Sequence, residues 1–219
     1  MTAELPQGVR LDLRAGPVML ATQATLRWTL RRLAGRHLVL DGLDRIPPSG
    51  PLLVCSNHHS YLDPCLIGGF FPRDLHAMAK AELYRNPLLR QVCARCHCIP
   101  VSRGSSDRQA LRGALAVLGA GGALLVFPEG TRSQGLGLLP ATGGVGFLAR
   151  LSAAPILPIG VWGTEQALPR HRRIPRPGPI LLRVGEAFRP RSREKGAIGE
   201  EVMRAIAALL PAPYRGRYG

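Results

Sequence analysis

The chain has 219 residues, of which 29 are Lys or Arg and 14 are Asp or Glu, so its formal net charge is +15. This length fits one compact domain, and a hydrophobic content of 46% excludes a disordered chain. All the basic residues except Lys80 and Lys195 are arginines, and a guanidinium is suited to paired contacts with phosphate. We therefore expect a phosphate-bearing partner: nucleic acid, an anionic membrane or a phosphorylated substrate.

The N-terminal segment predicts a basic amphipathic helix over residues 18–33, with Trp28 on it and arginines in its second half. Such a helix is typical of a membrane surface, and equally of a helix packed on the domain with its arginines in solvent. We divide the chain into 1–36, which carries this helix, and 37–219, which forms the domain. The apolar residues at helical spacing are Met19, Leu26, Leu30 and Leu33.

The rest of the chain alternates short apolar runs with helical patterns. This alternation predicts a single α/β domain whose central sheet is mostly parallel and flanked by helices. In such folds the chemistry lies in the loops that follow the carboxyl ends of the strands. The predicted strands are 37–40, 51–55, 75–79, 98–101, 123–127, 155–161 and 180–184. The predicted helices are 64–71, 81–94, 107–118, 142–151 and 197–210.

The loop after the second predicted strand carries a candidate general base. His58 lies at the strand end, and Asp63 follows five residues later. An imidazole that has one nitrogen held by a carboxylate can take a proton from a hydroxyl through its other nitrogen. The same residues also fit a helix-capping Asp beside an unrelated loop histidine, and His59 is an alternative base.

Two further loops are predicted to bring charged residues to the same edge of the sheet. Arg103 follows one predicted strand, and Glu129, Gly130 and Arg132 follow another. Arginines from two loops can converge on one phosphate, and Gly130 permits a tight turn whose N–H groups approach a ligand. Glu129 can instead pair with Arg132 or Arg103 as part of the scaffold, or position an arginine for its ligand.

Four ordered blocks resemble those of the glycerolipid acyltransferase family, which includes the 1-acylglycerol-3-phosphate acyltransferases. The blocks are Asn57 and His58 with Asp63, then 99–103, 127–133 and 155–159. The resemblance covers about residues 37–188. Four blocks in the same order are far more specific than any one of them.

The resemblance implies that His58 deprotonates an acceptor hydroxyl while Asp63 orients the imidazole ring. The alkoxide then attacks the thioester of acyl-CoA or acyl-carrier protein, with no acyl-enzyme, no metal and no further cofactor. The expected acceptor is the lysophospholipid 1-acylglycerol 3-phosphate, which gives phosphatidic acid for phospholipid synthesis. The resemblance assigns the acceptor phosphate to Arg103, Glu129, Gly130, Thr131 and Arg132, the acyl or donor side to Pro158, and auxiliary roles to Asn57 and Lys80.

Two residues depart from the family pattern. His97 stands where the second block usually opens with Gly, so a different local turn is expected. Ala141 stands where many members carry a Lys that adds positive charge near the acceptor phosphate. Another lysolipid acceptor is therefore the alternative substrate.

The remaining features leave other hypotheses open. Cys93, Cys96, His97 and Cys98 are close enough for half of a zinc site, but no second pair of ligands appears, which favours structural thiols. Nucleic-acid binding fits the charge, yet only 5% of residues are aromatic and no strong helix-turn-helix or zinc-finger pattern appears. The basic segment 164–195 suits an anionic bilayer at least as well, so no nucleic-acid partner is expected, and a non-enzymatic membrane-binding protein is a third reading.

The sequence shows no secretory signal and no stretch suited to span a bilayer. We therefore expect a peripheral protein at the cytoplasmic face of a membrane.

Overall fold

The structure, a computed structural model, describes residues 2–5, 9–12, 17–85, 90, 93, 97–101, 107–172 and 174–219. An antiparallel hairpin of β1 (Thr2–Leu5) and β2 (Val9–Asp12) comes first. The sequence did not predict this hairpin, because neither strand shows an apolar run. Helix α1 (Pro17–Ala34) follows, as predicted.

A sheet of seven strands forms the centre of the domain, and all seven predicted strands are present. Its order is β3-β9-β8-β4-β7-β5-β6, and every neighbouring pair is parallel except β8 and β9. The mostly parallel α/β domain is therefore confirmed. The strands are β3 (Leu38–Asp41), β4 (Leu52–Ser56), β5 (Leu75–Lys80), β6 (Cys98–Val101), β7 (Ala123–Val126), β8 (Ile156–Trp162) and β9 (Ile180–Val184).

Four of the five helices predicted after α1 are present with ends shifted by one or two residues. The predicted helix 81–94 instead opens as a 3-10 turn, Ala81–Arg85, and most of its remainder lies outside the described residues. One short helix, α5 (Thr164–Ala167), was not predicted, because four residues are too few to show a helical period. The helices are α2 (Leu62–Phe70), α3 (Arg108–Gly119), α4 (Gly143–Ser152), α5 (Thr164–Ala167) and α6 (Lys195–Leu209).

Helices cover both faces of the sheet and bury two hydrophobic cores. Leu53 and Cys55 of β4 belong to the core that contains residues of α3, α4 and α6. Leu52 and Val54 point the opposite way, into the core shared with α1 and α2. All five residues of β4 are buried, so its side chains alternate between two apolar layers, as expected for a central parallel strand.

Helix α1 packs on α2 and still presents a basic surface. Its Gln23 and Arg27 side chains donate hydrogen bonds to backbone carbonyls of α2 and of Phe71, which follows it, and Leu30 is buried. Trp28, in contrast, is 62% exposed. The two hypotheses for this helix are therefore compatible: one side packs on the domain, and the other carries Trp28 and arginines on the surface. None of the helices in the described part of the chain is both long and apolar enough to cross a bilayer.

The turn at His97 keeps the backbone shape that a glycine would favour. His97 has φ of +48°, in the left-handed region, where a side chain costs about 1–2 kcal/mol. His97 therefore replaces the family glycine in a left-handed backbone conformation.

Candidate active site

The predicted histidine and aspartate meet at the carboxyl end of the central strand β4. Nδ1 of His58 lies 2.9 Å from Oδ2 of Asp63. A carboxylate can only accept, so the proton of a neutral His58 ring resides on Nδ1, and Nε2 carries the lone pair. Nε2 has no hydrogen bond to any other described residue, and the His58 side chain is 16% exposed. The geometry thus presents an accessible nitrogen that can accept a proton.

Asp63 is fixed by four hydrogen bonds. Besides His58, its Oδ2 accepts from the backbone N–H groups of His59 at 2.7 Å and Ser60 at 2.8 Å. Its Oδ1 accepts from the hydroxyl of Thr164, in α5. The carboxylate is fully buried, and donors on both oxygens satisfy it in place of water. Thr164 was not predicted to take part in the site.

Glu129 supports His58 from the loop after β7. Its Oε1 accepts from the backbone N–H of His58, and its Oε2 from that of Leu139, both at 2.9 Å. Burial raises the pKa of Glu129, and these two hydrogen bonds oppose that shift. Glu129 therefore holds the backbone of His58 and Leu139 and does not pair with Arg132. A second contact comes from Phe127, whose ring stacks on the His58 ring with centroids 4.0 Å apart.

His59 is engaged at both ring nitrogens. Its Nδ1 accepts from the amide of Asn57 at 2.8 Å, and its Nε2 donates to the carbonyl of Leu136 at 2.8 Å. The same Asn57 side chain also exchanges two hydrogen bonds with the backbone of Val161 in β8. With no free lone pair, His59 is not placed to act as the base, and Asn57 ties the loop to the neighbouring strand.

The loop after β7 carries Arg132 to the same edge of the sheet. Gly130 has φ of +65°, and its N–H closes a turn on the carbonyl of Phe127. The backbone N–H of Ser133 donates to the carbonyl of His58 at 2.8 Å. Arg132 and its half-buried neighbour Thr131 therefore lie beside the loop that carries His58.

The remaining predicted site residues lie farther from the dyad or are not described. Arg103 lies outside the described residues. Lys80 is exposed at the end of β5, which β7 separates from β4. Pro158 is buried in the middle of β8, with its ring against Gly185. These positions leave the roles assigned to Lys80 and Pro158 as predictions.

Ala141 packs against the C-terminal helix. It is half-buried beside the core, and its Cβ lies 3.1 Å from where a Cβ on Gly199 of α6 would stand. A longer side chain at this position would contact α6. Because alanine is uncharged, position 141 does not supply the positive charge that many family members have there.

The described cysteines do not form a metal cluster. Cys93 is buried, and a hydrogen bond with Cys98 lowers the pKa of its thiol. Cys96 lies outside the described residues. Among the residues described, no three His, Cys, Asp or Glu side chains are placed to hold a metal ion.

Residues 37–162, more than half of the chain, match the family model described as Acyltransferase. The chain belongs to the acyltransferase family. The matched segment contains the His58–Asp63 dyad, the Glu129 loop and all of β8, whereas Thr164 of α5 lies two residues beyond it.

Relatives within the acyltransferase family are similar over most of this chain. A 1-acyl-sn-glycerol-3-phosphate acyltransferase of Bacillus subtilis is 25% identical over 78% of this chain and 77% of its own length. One from Cocos nucifera is 31% identical over 74% of this chain, which spans only 52% of that relative. The crystal structure of the 1-acyl-sn-glycerophosphate acyltransferase PlsC from Thermotoga maritima matches with a TM-score of 0.73 and 28% identity, covering 87% of this chain and 79% of that one.

A relative with another acceptor in its name is similar too. A lyso-ornithine lipid O-acyltransferase of Pseudomonas aeruginosa is 29% identical over 67% of this chain and 57% of its own length. Membership of the family therefore establishes acyl transfer and leaves the acceptor to be argued separately.

Proposed function

We propose that this acyltransferase moves a fatty acyl chain from acyl-CoA or acyl-carrier protein to the free hydroxyl of 1-acylglycerol 3-phosphate at the cytoplasmic face of a membrane. The product would be phosphatidic acid. The observation that carries the proposal is the His58–Asp63 dyad with a free Nε2, next to a loop that presents Arg132.

The dyad supports direct transfer to the acceptor. Nε2 of His58 takes the proton of the acceptor hydroxyl while the oxygen attacks the thioester carbonyl carbon. The tetrahedral intermediate then collapses, the carbon–sulfur bond breaks, and the thiolate leaves and recovers the proton from the imidazolium. Asp63 faces the His58 ring with a buried negative charge, which stabilises the positive charge that develops on the ring as the proton moves to Nε2.

The charge of Arg132 and the similarity to named relatives both support a phosphate-bearing acceptor. Arg132 carries a guanidinium that no described carboxylate neutralises, and guanidinium groups bind phosphate through paired donors. Several relatives, from Bacillus subtilis to Cocos nucifera, are named as 1-acyl-sn-glycerol-3-phosphate acyltransferases. The lyso-ornithine lipid relative favours a second candidate, an acceptor without the phosphate monoester.

The surface near the site suits an anionic bilayer. The carboxyl end of β8 and the start of β9 lie at the same edge of the sheet as the dyad. The segment between these strands contacts the end of α1 through a hydrogen bond from Gly178 to Leu33. Ile174 is 79% and Trp28 62% exposed on these two elements, among arginines. Apolar and basic side chains together favour a lipid interface, which would bring the acceptor to the dyad.

A thiol-release assay with a panel of acceptors tests the proposal. We expect acyl-CoA to be consumed with 1-acylglycerol 3-phosphate, and His58→Ala to abolish turnover. The control is Asp44→Ala, an exposed residue just after the edge strand β3, three strands away from β4, which should retain the wild-type kcat. Turnover in folded His58→Ala would remove His58 as the base.

The acceptor panel and a binding comparison separate the alternatives. Turnover with a lyso-ornithine lipid alone would assign the second candidate acceptor. Absence of thiol release with every acceptor, together with tighter binding to DNA than to anionic liposomes at equal ionic strength, would favour the non-enzymatic reading.

A further inference from the structure

Arg132 is a charged residue whose partner in the structure is an aromatic ring. Its guanidinium carbon lies 3.6 Å from the centroid of the Tyr61 ring. Within the described part of the chain, Arg132 forms no ion pair and no side-chain hydrogen bond. A half-buried cation beside this loop would ordinarily pair with a carboxylate, so its contact with an aromatic ring instead needs an explanation.

The short distance defines the orientation of the guanidinium. At 3.6 Å from the ring centroid, the planar group must lie nearly parallel to the ring, because a tilted group would press a nitrogen into the ring carbons. In this stacked arrangement the ring contacts the face of the guanidinium, and its N–H groups point outward in the plane. The edge that binds phosphate is therefore left free.

Tyr61 lies within the His58 to Asp63 segment and is itself 56% exposed. It occupies the turn just before α2, so its backbone is fixed by the same loop that fixes the dyad. The stacked pair thus links a residue of the base-bearing loop to the arginine of the loop after β7, 71 positions later in the sequence.

We propose that Tyr61 is a positioning residue for the acceptor: its ring holds the Arg132 guanidinium flat, with the N–H edge presented to the phosphate monoester of the lysolipid. This inference rests on the proposed phosphate-bearing acceptor. Tyr61 acts through Arg132 and touches neither the reacting hydroxyl nor the thioester. An arginine that is already ordered loses less rotamer freedom when the phosphate binds.

The expected effect is on acceptor binding. An exposed cation–π contact contributes about 0.5–1 kcal/mol, which corresponds to a two- to fivefold change in affinity. We therefore expect Tyr61→Leu to raise the KM for 1-acylglycerol 3-phosphate about two- to fivefold with kcat nearly unchanged, since the contact is present in both ground and transition states. Tyr61→Phe retains the ring and should retain the wild-type KM.

A double-mutant cycle separates this role from a merely structural one. Arg132→Met removes the cation, and in that background Tyr61→Leu should have no further effect on KM. Equal effects of Tyr61→Leu in both backgrounds, or an equal loss in Tyr61→Phe, would overturn the proposal. Thermal unfolding of each variant checks that the loop remains folded.

A binding measurement distinguishes failure of this inference from failure of the proposed function. Titration calorimetry with a short-chain 1-acylglycerol 3-phosphate and with the matching uncharged monoacylglycerol needs no turnover. The inference is supported if Tyr61→Leu binds the phosphate ligand more weakly than the wild-type protein does, while its affinity for the uncharged ligand is unchanged. Unchanged binding to Tyr61→Leu overturns it while leaving the function standing, and equal affinity of the wild-type protein for both ligands overturns the phosphate-bearing acceptor and the inference together.

Discussion

Replacing Asp63 by Asn tests the site at the group that supports the base. Oδ2 of Asp63 accepts from the His58 ring and from the N–H groups of His59 and Ser60, whereas Oδ1 accepts from the Thr164 hydroxyl. An Asn with its oxygen at the Oδ2 position keeps the first three hydrogen bonds, and its NH₂ faces a hydroxyl that can turn to accept. The opposite amide orientation would direct the Asn NH₂ group at the three N–H donors of His58, His59 and Ser60, which disfavours it. We therefore expect a folded protein whose His58 ring is still protonated on Nδ1.

The substitution then removes only the negative charge that faces the imidazolium during transfer. A hydrogen bond to a charged group contributes about 1.5–3 kcal/mol and a neutral one about 0.5–1.5 kcal/mol. The difference of about 1–1.5 kcal/mol corresponds to about a 5- to 13-fold lower kcat. This loss is smaller than that expected for His58→Ala, because the base itself remains in place.

The measurement is kcat by thiol release, with thermal unfolding recorded on the same preparations. Thr164→Val is the matched comparison, because it leaves the charge on Asp63 and removes one donor from Oδ1. A folded Asp63→Asn protein with the wild-type kcat would refute the role of the charge. A loss above about 1000-fold in a folded protein would refute the predicted amide orientation, since only a changed His58 tautomer would account for it.

Three further substitutions test the scaffold by denaturant unfolding. Tyr214→Phe removes the donor to Glu165 at 2.7 Å and should destabilise the fold by about 1–3 kcal/mol, because that carboxylate is partly buried; the pKa of Tyr214, raised to about 12 by burial and by Glu165, keeps the phenol protonated in neutral assays. Gly130→Ala should cost about 1–2 kcal/mol, because φ is +65° and the new Cβ would lie 3.1 Å from Thr142. Burial lowers the pKa of His76 to about 4, so the unfolded chain binds the extra proton from pH 6.5 down to about 4, and stability should fall by about 3 kcal/mol over that window; His76→Leu should lack this loss. Unchanged stability in either substitution, or the same acid loss in His76→Leu, would contradict the respective reasoning.

The strands were predictable because a strand buried on both faces reads as a continuous apolar run. Leu52–Ser56 and Ala123–Val126 are buried at every residue, and such runs are visible without any knowledge of the partner strands. The hairpin of β1 and β2 has no such run, and the four residues of α5 are too few for a period. What the sequence missed is thus short or lacks an apolar run.

The dyad was predictable because His58 and Asp63 are only five residues apart in the sequence. Excluding His59 was not, because the carbonyl that holds its Nε2 belongs to Leu136, 77 residues away. The contact of Arg132 with Tyr61 is equally long-range. Local spacing identifies which residues carry chemistry, whereas the hydrogen-bond partners that assign their roles come from the order of strands in the sheet.

That order explains why residues from separate loops act on one imidazole. β4 lies between β7 and β8, so the loop carrying His58 leaves the sheet between two neighbours. Glu129 holds its backbone from the β7 side, and Asn57 ties it to Val161 on the β8 side. Because both anchors fix the same loop, the first substitution already frees it. Glu129→Ala and Asn57→Ala combined should therefore lower kcat by less than the product of their separate effects, whereas strict additivity would mean that the two anchors act on independent parts of the site.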